Sequence, residues 1–164
     1  MNIILIGMPG CGKSTIGVLL AKALLMDFVD TDLLIQKECG KPLCDILADS
    51  GLETFKQIEG RVLSALHCDN CVIATGGSAV YSDEAMSHLK QNGVVVYLDL
   101  PVDEIVRRVQ NITTRGIAMP TGCTLKQLYD ERVPLYHRYA DVIVNCADRC
   151  VEECVETVTN HIKT

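Results

Sequence analysis

Two short stretches hold residue types suited to phosphate chemistry. Residues 7–15 read GMPGCGKST and fit the pattern G-x-x-x-x-G-K-[ST], set between an apolar run and an amphipathic one. Gly7, Gly10 and Gly12 let the backbone curl so that its N–H groups face a bound polyphosphate. Gly10, Cys11, Gly12, Lys13, Ser14 and Thr15 then form the nucleotide-binding loop, with Lys13 bridging the β- and γ-phosphates and the Ser14 hydroxyl ligating Mg²⁺. At ordinary glycine usage a chance match in this length is rare, and a merely structural glycine turn is the weaker reading.

The second stretch is FVDTD, residues 28–32, an apolar run ending in two aspartates one residue apart. On an alternating strand end, Asp30 and Asp32 share a side. One can then hold Mg²⁺ through water while the other meets the hydroxyl of a phosphoryl acceptor. The usual metal-supporting acid at the end of another buried strand is missing, because CVIATGG ends in Thr75, Gly76 and Gly77. The competing reading is that Asp30 or Asp32 only caps a helix starting near Leu33.

These residues need a scaffold that brings them to one edge. Apolar runs at 2–7, 27–30, 71–75, 94–100 and 141–145 alternate with helical patterns at 13–25, 32–39, 42–66 (broken at Ser50-Gly51), 82–91, 102–110, 124–138 and 148–162. Near-continuous apolar strands suit burial on both faces, so the expected fold class is α/β: a five-stranded parallel sheet flanked by helices on both faces. Ligands in such sheets bind beyond the carboxyl ends of the strands, where GMPGCGKS, DTD and TGGS then gather. The polar segment NITTRGIAMPTG (111–122) reads as a lid over that edge. Residues 1–164 read as one domain, with an acceptor-binding helical region at about 32–66.

Composition narrows the partners. A formal net charge of −6 argues against nucleic acid and anionic membrane, so a negatively charged substrate needs a local basic pocket. No apolar run reaches the ~18 residues of a membrane span, and MNIILIGMPG lacks the basic start of a secretory signal. Nine cysteines without such a signal read as free thiols of a cytoplasmic protein. The CDNC spacing at Cys68–Cys71 has no second pair to complete a zinc site, and Cys146, Cys150 and Cys154 read as one apolar helical face. Cys11, beside Lys13 and a helix N-terminus, is expected to be the most reactive thiol.

GMPGCGKSTIG, FVDTD, TFKQIE, IATGG and ERVPLYHRYAD follow the order and spacing of shikimate kinases, which the chain resembles over essentially its whole length. The resemblance implies a P-loop kinase with a three-layer architecture and a lid, ATP as phosphoryl donor and a small hydroxy acid as acceptor. It implies Asp30 near Mg²⁺, Asp32 on the acceptor hydroxyls, Gly76 and Gly77 against the acceptor, and Arg132 on its carboxylate. Arg115 matches the lid arginine, and Arg108 the arginine lying over adenine. The expected catalytic set is Lys13, Asp32 and Arg115, and the protein is taken to act as a monomer.

Three positions depart from the family pattern. Lys56 stands where the family has arginine, and lysine lacks the bidentate fork. Ser78 replaces the third glycine of a G-G-G motif, adding a hydroxyl beside the acceptor, and the lid reads Arg115-Gly116 in place of R-P. Lys56 and Ser78 are kept in the acceptor set. They also keep two alternatives open: a kinase for another small polyol or acid, and a nucleotide-binding module that has lost transfer. Glu59 reads as either an i, i+3 partner of Lys56 or a site residue, and no role is assigned to it.

Overall fold

The computed structural model describes residues 1–110 and 116–164. Five strands, β1 (Asn2–Ile6), β2 (Asp27–Asp30), β3 (Cys71–Ala74), β4 (Gly93–Asp99) and β5 (Val142–Asn145), form one parallel sheet in the order β2-β3-β1-β4-β5. Every residue of β1 is buried, which is why its sequence NIILI has no polar alternation. Ile3 pairs with Val72 on one side and Val94 on the other, fixing the central strand between two apolar neighbours.

Helices α1 (Lys13–Leu24), α2 (Thr31–Cys39), α3 (Leu43–Ser64), α4 (Asp83–Lys90), α5 (Val102–Gln110), α6 (Leu125–Tyr139) and α7 (Val151–Lys163) connect and cover the strands. Helix α1 packs against α7, and α3 against α4, over a core built on β1, β3 and β4. This is the expected α/β arrangement of a P-loop kinase. The strands beside β1, β3 and β4, lead the chain to opposite sides of the sheet, so a crevice opens at the carboxyl end of β1.

Local chemistry sets the helix ends that matter. Asp30 caps α2: its Oδ1 accepts from the Asp32 backbone N–H at 3.0 Å. The helix therefore begins at Thr31, one residue earlier than the helical pattern expected at 32–39, and Asp32 lies in its first turn. It is this cap, not strand alternation, that brings the two aspartates together. The break expected at Ser50-Gly51 is present, with Gly51 at φ 79° and ψ 170° kinking α3. A capping box between Thr124 and Gln127 starts α6, the helix that carries Arg132. No described helix is long and apolar enough to cross a membrane.

Candidate active site

The phosphate loop joins β1 to α1. Gly10 and Gly12 stand at φ 79° and 100°, the left-handed region where a side chain would be strained, and this turns the loop into a cradle at the start of α1. Lys13 is 3% exposed, and its Nζ donates to the carbonyls of Gly7 at 2.7 Å and Met8 at 2.8 Å. The ammonium is thus folded along the loop that a polyphosphate would occupy. Cys11 and Gly12 contribute backbone to the cradle, and Thr15 follows exposed on α1. Arg108 on α5 reaches across the loop, with Nη1 3.4 Å from the Gly10 carbonyl and Nε donating to Glu104 at 3.0 Å.

Ser14 Oγ donates to Asp30 Oδ2 at 2.8 Å. A hydroxyl and a carboxylate held together beside a phosphate cradle are the hard oxygen donors that would suit Mg²⁺. The described residues contain no cluster of three or more His, Cys, Asp or Glu able to hold a metal alone. The pair fits a metal bound together with its nucleotide.

Next to the loop is a small cavity of about 20 Å³, lined by Lys13, Asp32, Glu59, Gly76, Gly77 and Arg132 among others. The glycines of the turn after β3 are required here by close approach. A Cβ at Gly76 would sit 2.6 Å from Glu59 Oε2 and 2.9 Å from Asp32 Oδ1. One at Gly77 would meet Arg132 Nη1 at 2.8 Å and Pro9 Cδ at 2.9 Å. The Gly77 carbonyl is held by Tyr136 Oη at 2.7 Å, and the Tyr136 ring stacks on Tyr97 with centroids 5.1 Å apart. Arg132 is 1% exposed; it donates from Nη2 to the Ala118 carbonyl and from Nε to Tyr81 Oη at 3.3 Å.

The segment Gly116–Ala118 closes the top of this cavity. A Cβ at Gly116 would lie 2.7 Å from the backbone nitrogen of Cys44 at the start of α3, so glycine lets this part of the expected lid seat closely. Arg115, the expected lid arginine, lies outside the described residues, as does the rest of 111–114.

Not every expected residue converges. Ser78 is in the cavity wall, but its hydroxyl donates to Glu59 Oε1 at 2.5 Å. Lys56 lines a different, larger cavity of about 680 Å³ on the other side of Glu59 and Ser78. Its Nζ sits 4.1 Å above the Tyr81 ring and 3.7 Å from Glu53 Oε1, so its helical ion pair is with Glu53 rather than Glu59.

Sequence alone assigns Glu59 no role, yet its carboxyl lies in the wall of this cavity. It is 2% exposed, and burial pushes its carboxyl up to about 7. The Ser78 hydrogen bond opposes that rise, Asp32 adds to it, and Arg132 and Lys13 counter it. Its spacing behind Phe55 in TFKQIE was visible, but nothing in the sequence says which way the carboxyl turns. Tyr81 and Tyr136 carry no such signal in sequence either: the R-x-P-L-Y stretch contains Tyr136 without indicating its backbone partner.

The nine cysteines are free thiols, and Cys11 is 1% exposed with Lys13 Nζ 3.7 Å from its Sγ. The expectation of a reactive Cys11 is therefore corrected: the cation is present, but the sulfur is enclosed. Cys44 and Cys150 are the exposed thiols. Cys150 is the N-cap of α7, while Cys146 and Cys154 are buried, so the three do not share one face.

The sequence model of the family described as shikimate kinase matches residues 9–163. A shikimate kinase of Francisella tularensis subsp. holarctica is 38% identical over 98% of this chain and 94% of its own length. One from Clostridium botulinum is 35% identical over 98% of each. Among solved structures, a shikimate kinase from Acinetobacter baumannii in complex with shikimate superposes with a TM-score of 0.88 at 29% identity, covering 99% of this chain and 92% of that one. The Aquifex aeolicus shikimate kinase gives 0.84 at 32% identity, covering 99% and 96%.

Proposed function

This chain belongs to the shikimate kinase family, and on that premise we propose that it transfers the γ-phosphoryl group of ATP to a hydroxyl of shikimate, giving ADP and shikimate 3-phosphate. The observation that carries the reading is the joining of two half-sites at one sheet edge. A phosphate cradle ends in Lys13, and the adjoining cavity sets the carboxylate of Asp32 at one side and the guanidinium of Arg132 at another.

In this reading the acceptor carboxylate pairs with Arg132, and Lys56 adds its charge by turning in from the Tyr81 ring. Gly76, Gly77 and Ser78 form the floor. Asp32 orients the reacting hydroxyl, whose oxygen forms the new bond to phosphorus as the bond from phosphorus to the β-phosphate oxygen breaks. The hydroxyl proton passes to Asp32. Lys13 and Arg115 neutralise charge on the phosphoryl group in flight, and Arg108 lies over the adenine. Ser14 and Asp30 hold Mg²⁺, which when bound supplies charge neutralisation on the phosphate oxygens. The protein works as a cytoplasmic monomer of one domain, without nucleic acid or membrane partners.

The test is ADP release with shikimate and a panel of other small hydroxy acids, for wild type and Lys13→Ala. Turnover selective for shikimate, lost by several orders of magnitude in a folded Lys13→Ala, is expected. Turnover of another acid in preference would move the reading to that acid, and no turnover with any would leave a nucleotide-binding module.

A further inference from the structure

Tyr81 ends a single 3₁₀ turn, Ala79–Tyr81, between β3 and α4. Its backbone N–H donates to the Ser78 carbonyl at 3.1 Å, and the turn packs against α3, α4 and α6. The tyrosine therefore lies where the helix of Lys56 and the helix of Arg132 come together. A phenol can serve cations in two ways: its π face attracts an ammonium, and its oxygen accepts from a guanidinium. Tyr81 does both. Lys56 Nζ lies 4.1 Å from the ring centroid, and Arg132 Nε donates to Oη at 3.3 Å. Burial pushes the phenol up from its ordinary value, so it stays neutral with both cations beside it.

The two cations are held unequally. Arg132 is clamped between Tyr81 Oη and the Ala118 carbonyl, which leaves Nη1 turned toward Gly77 in the wall of the small cavity. Lys56 has a flexible stem and one weaker partner, Glu53 at 3.7 Å, whose side chain is exposed. That pairing alone would draw the ammonium outward. The ring instead keeps it beside Glu59 and Ser78, the two residues that separate its cavity from the one at Arg132.

We propose that Tyr81 is the positioning residue for recognition of the acceptor's carboxylate: its hydroxyl fixes the Arg132 guanidinium, and its ring seats Lys56 ready to join it. The inference rests on the acceptor site described above and adds what sets its charge selectivity. An arginine at position 56 would orient its own planar fork on a carboxylate. The lysine found there is a point charge on a flexible stem and gains more from a fixed seat. The ligand class is a hydroxy acid, told from its neutral amide by two cations that share one aromatic side chain.

The experiment measures kcat and KM for shikimate and for its carboxamide in wild type, Tyr81→Phe and Tyr81→Leu, each with and without Lys56→Met. Tyr81→Phe keeps the ring and loses the brace on Arg132. It is expected to raise the KM for the acid about tenfold, with the KM for the carboxamide and for ATP staying within about twofold. Lys56→Met should weaken acid binding equally in wild type and Tyr81→Phe, and add nothing in Tyr81→Leu. Equal losses for acid and amide, or a loss falling on kcat and on ATP alike, would overturn the proposal. So would an undiminished effect of Lys56→Met in Tyr81→Leu. Tyr81→Phe preserves the packing of the ring, so its arm stands even where Tyr81→Leu does not fold.

A substrate-free arm separates this inference from the proposed function. In side-chain NMR the Lys56 ε-methylene protons should be shifted upfield by the ring in wild type and Tyr81→Phe, and lie at the ordinary lysine position in Tyr81→Leu. Ordinary Lys56 signals in wild type overturn the inference, whether or not shikimate is turned over. Shifted signals without shikimate turnover would count against the proposed function alone, and the acid–amide comparison then passes to the acid that is turned over.

Discussion

Asp30 binds Ser14 and starts a helix with the same carboxylate: Oδ2 accepts from Ser14 Oγ at 2.8 Å and Oδ1 from the Asp32 backbone at 3.0 Å. One side chain thereby ties the proposed metal position to the position of Asp32. The two duties separate by substitution. Asn is as good an N-cap as Asp but lacks the charge, whereas Ala loses both. Asp30→Asn should stay within a few tenths of a kcal/mol of wild type, and Asp30→Ala should lose about 1 kcal/mol. Both should lose most activity and require more Mg²⁺. Thermal unfolding and ADP release against Mg²⁺ concentration check the pattern, and equal stability of the two variants would remove the capping role.

Burial of Glu59 predicts a particular pH dependence of stability. Its folded pKa is raised from 4.5 to about 7, so between those values the native state binds more protons than the unfolded state. The contribution is fully present below about pH 4.5 and is lost as pH rises through 7. Glu59→Gln removes this titration. Relative to wild type it should gain up to about 3 kcal/mol between pH 4.5 and 8, read as a widening difference in Tm. A constant difference across that range would show that Glu59 does not titrate in the folded protein as stated.

Leu25 ends α1 in the left-handed conformation, at φ 56° and ψ 44°, with 89% of its surface exposed. It buries little and its backbone is in the region glycine favours. Leu25→Gly should stabilise the protein by about 1 kcal/mol, the relief of strain exceeding the added freedom of the unfolded chain. The corresponding rise in Tm is about 2–4 °C, with catalysis unchanged. A fall in Tm would mean that the side chain contributes more than its exposure suggests.

Thiol labelling should follow exposure rather than proximity to Lys13. With a maleimide under native conditions, Cys44 and Cys150 should react first and Cys11 only when the phosphate loop opens. Peptide mass spectrometry at partial labelling decides the order. Early modification of Cys11, prevented by nucleotide, would restore the reactivity expected from sequence.

The sequence by itself determined the phosphate loop, because its chemistry is local. Gly10, Gly12, Lys13 and Ser14 are neighbours in the chain, and their backbone preferences alone specify a cradle. It also determined the parallel sheet, since strands such as NIILI, apolar at every position but the first, can be satisfied only by burial on both faces, and the kink at Gly51. Tertiary packing decided the acceptor side. Glu59 meets Ser78 because α3 packs against the short turn after β3, and Arg132 meets Ala118 because α6 and the segment before it fold over the same cavity. Lys56 and Glu59 lie three residues apart on one helix, yet one faces the Tyr81 ring and the other the pocket. Helical spacing made them candidates for each other. The surfaces brought against that helix from distant parts of the chain gave each a different partner.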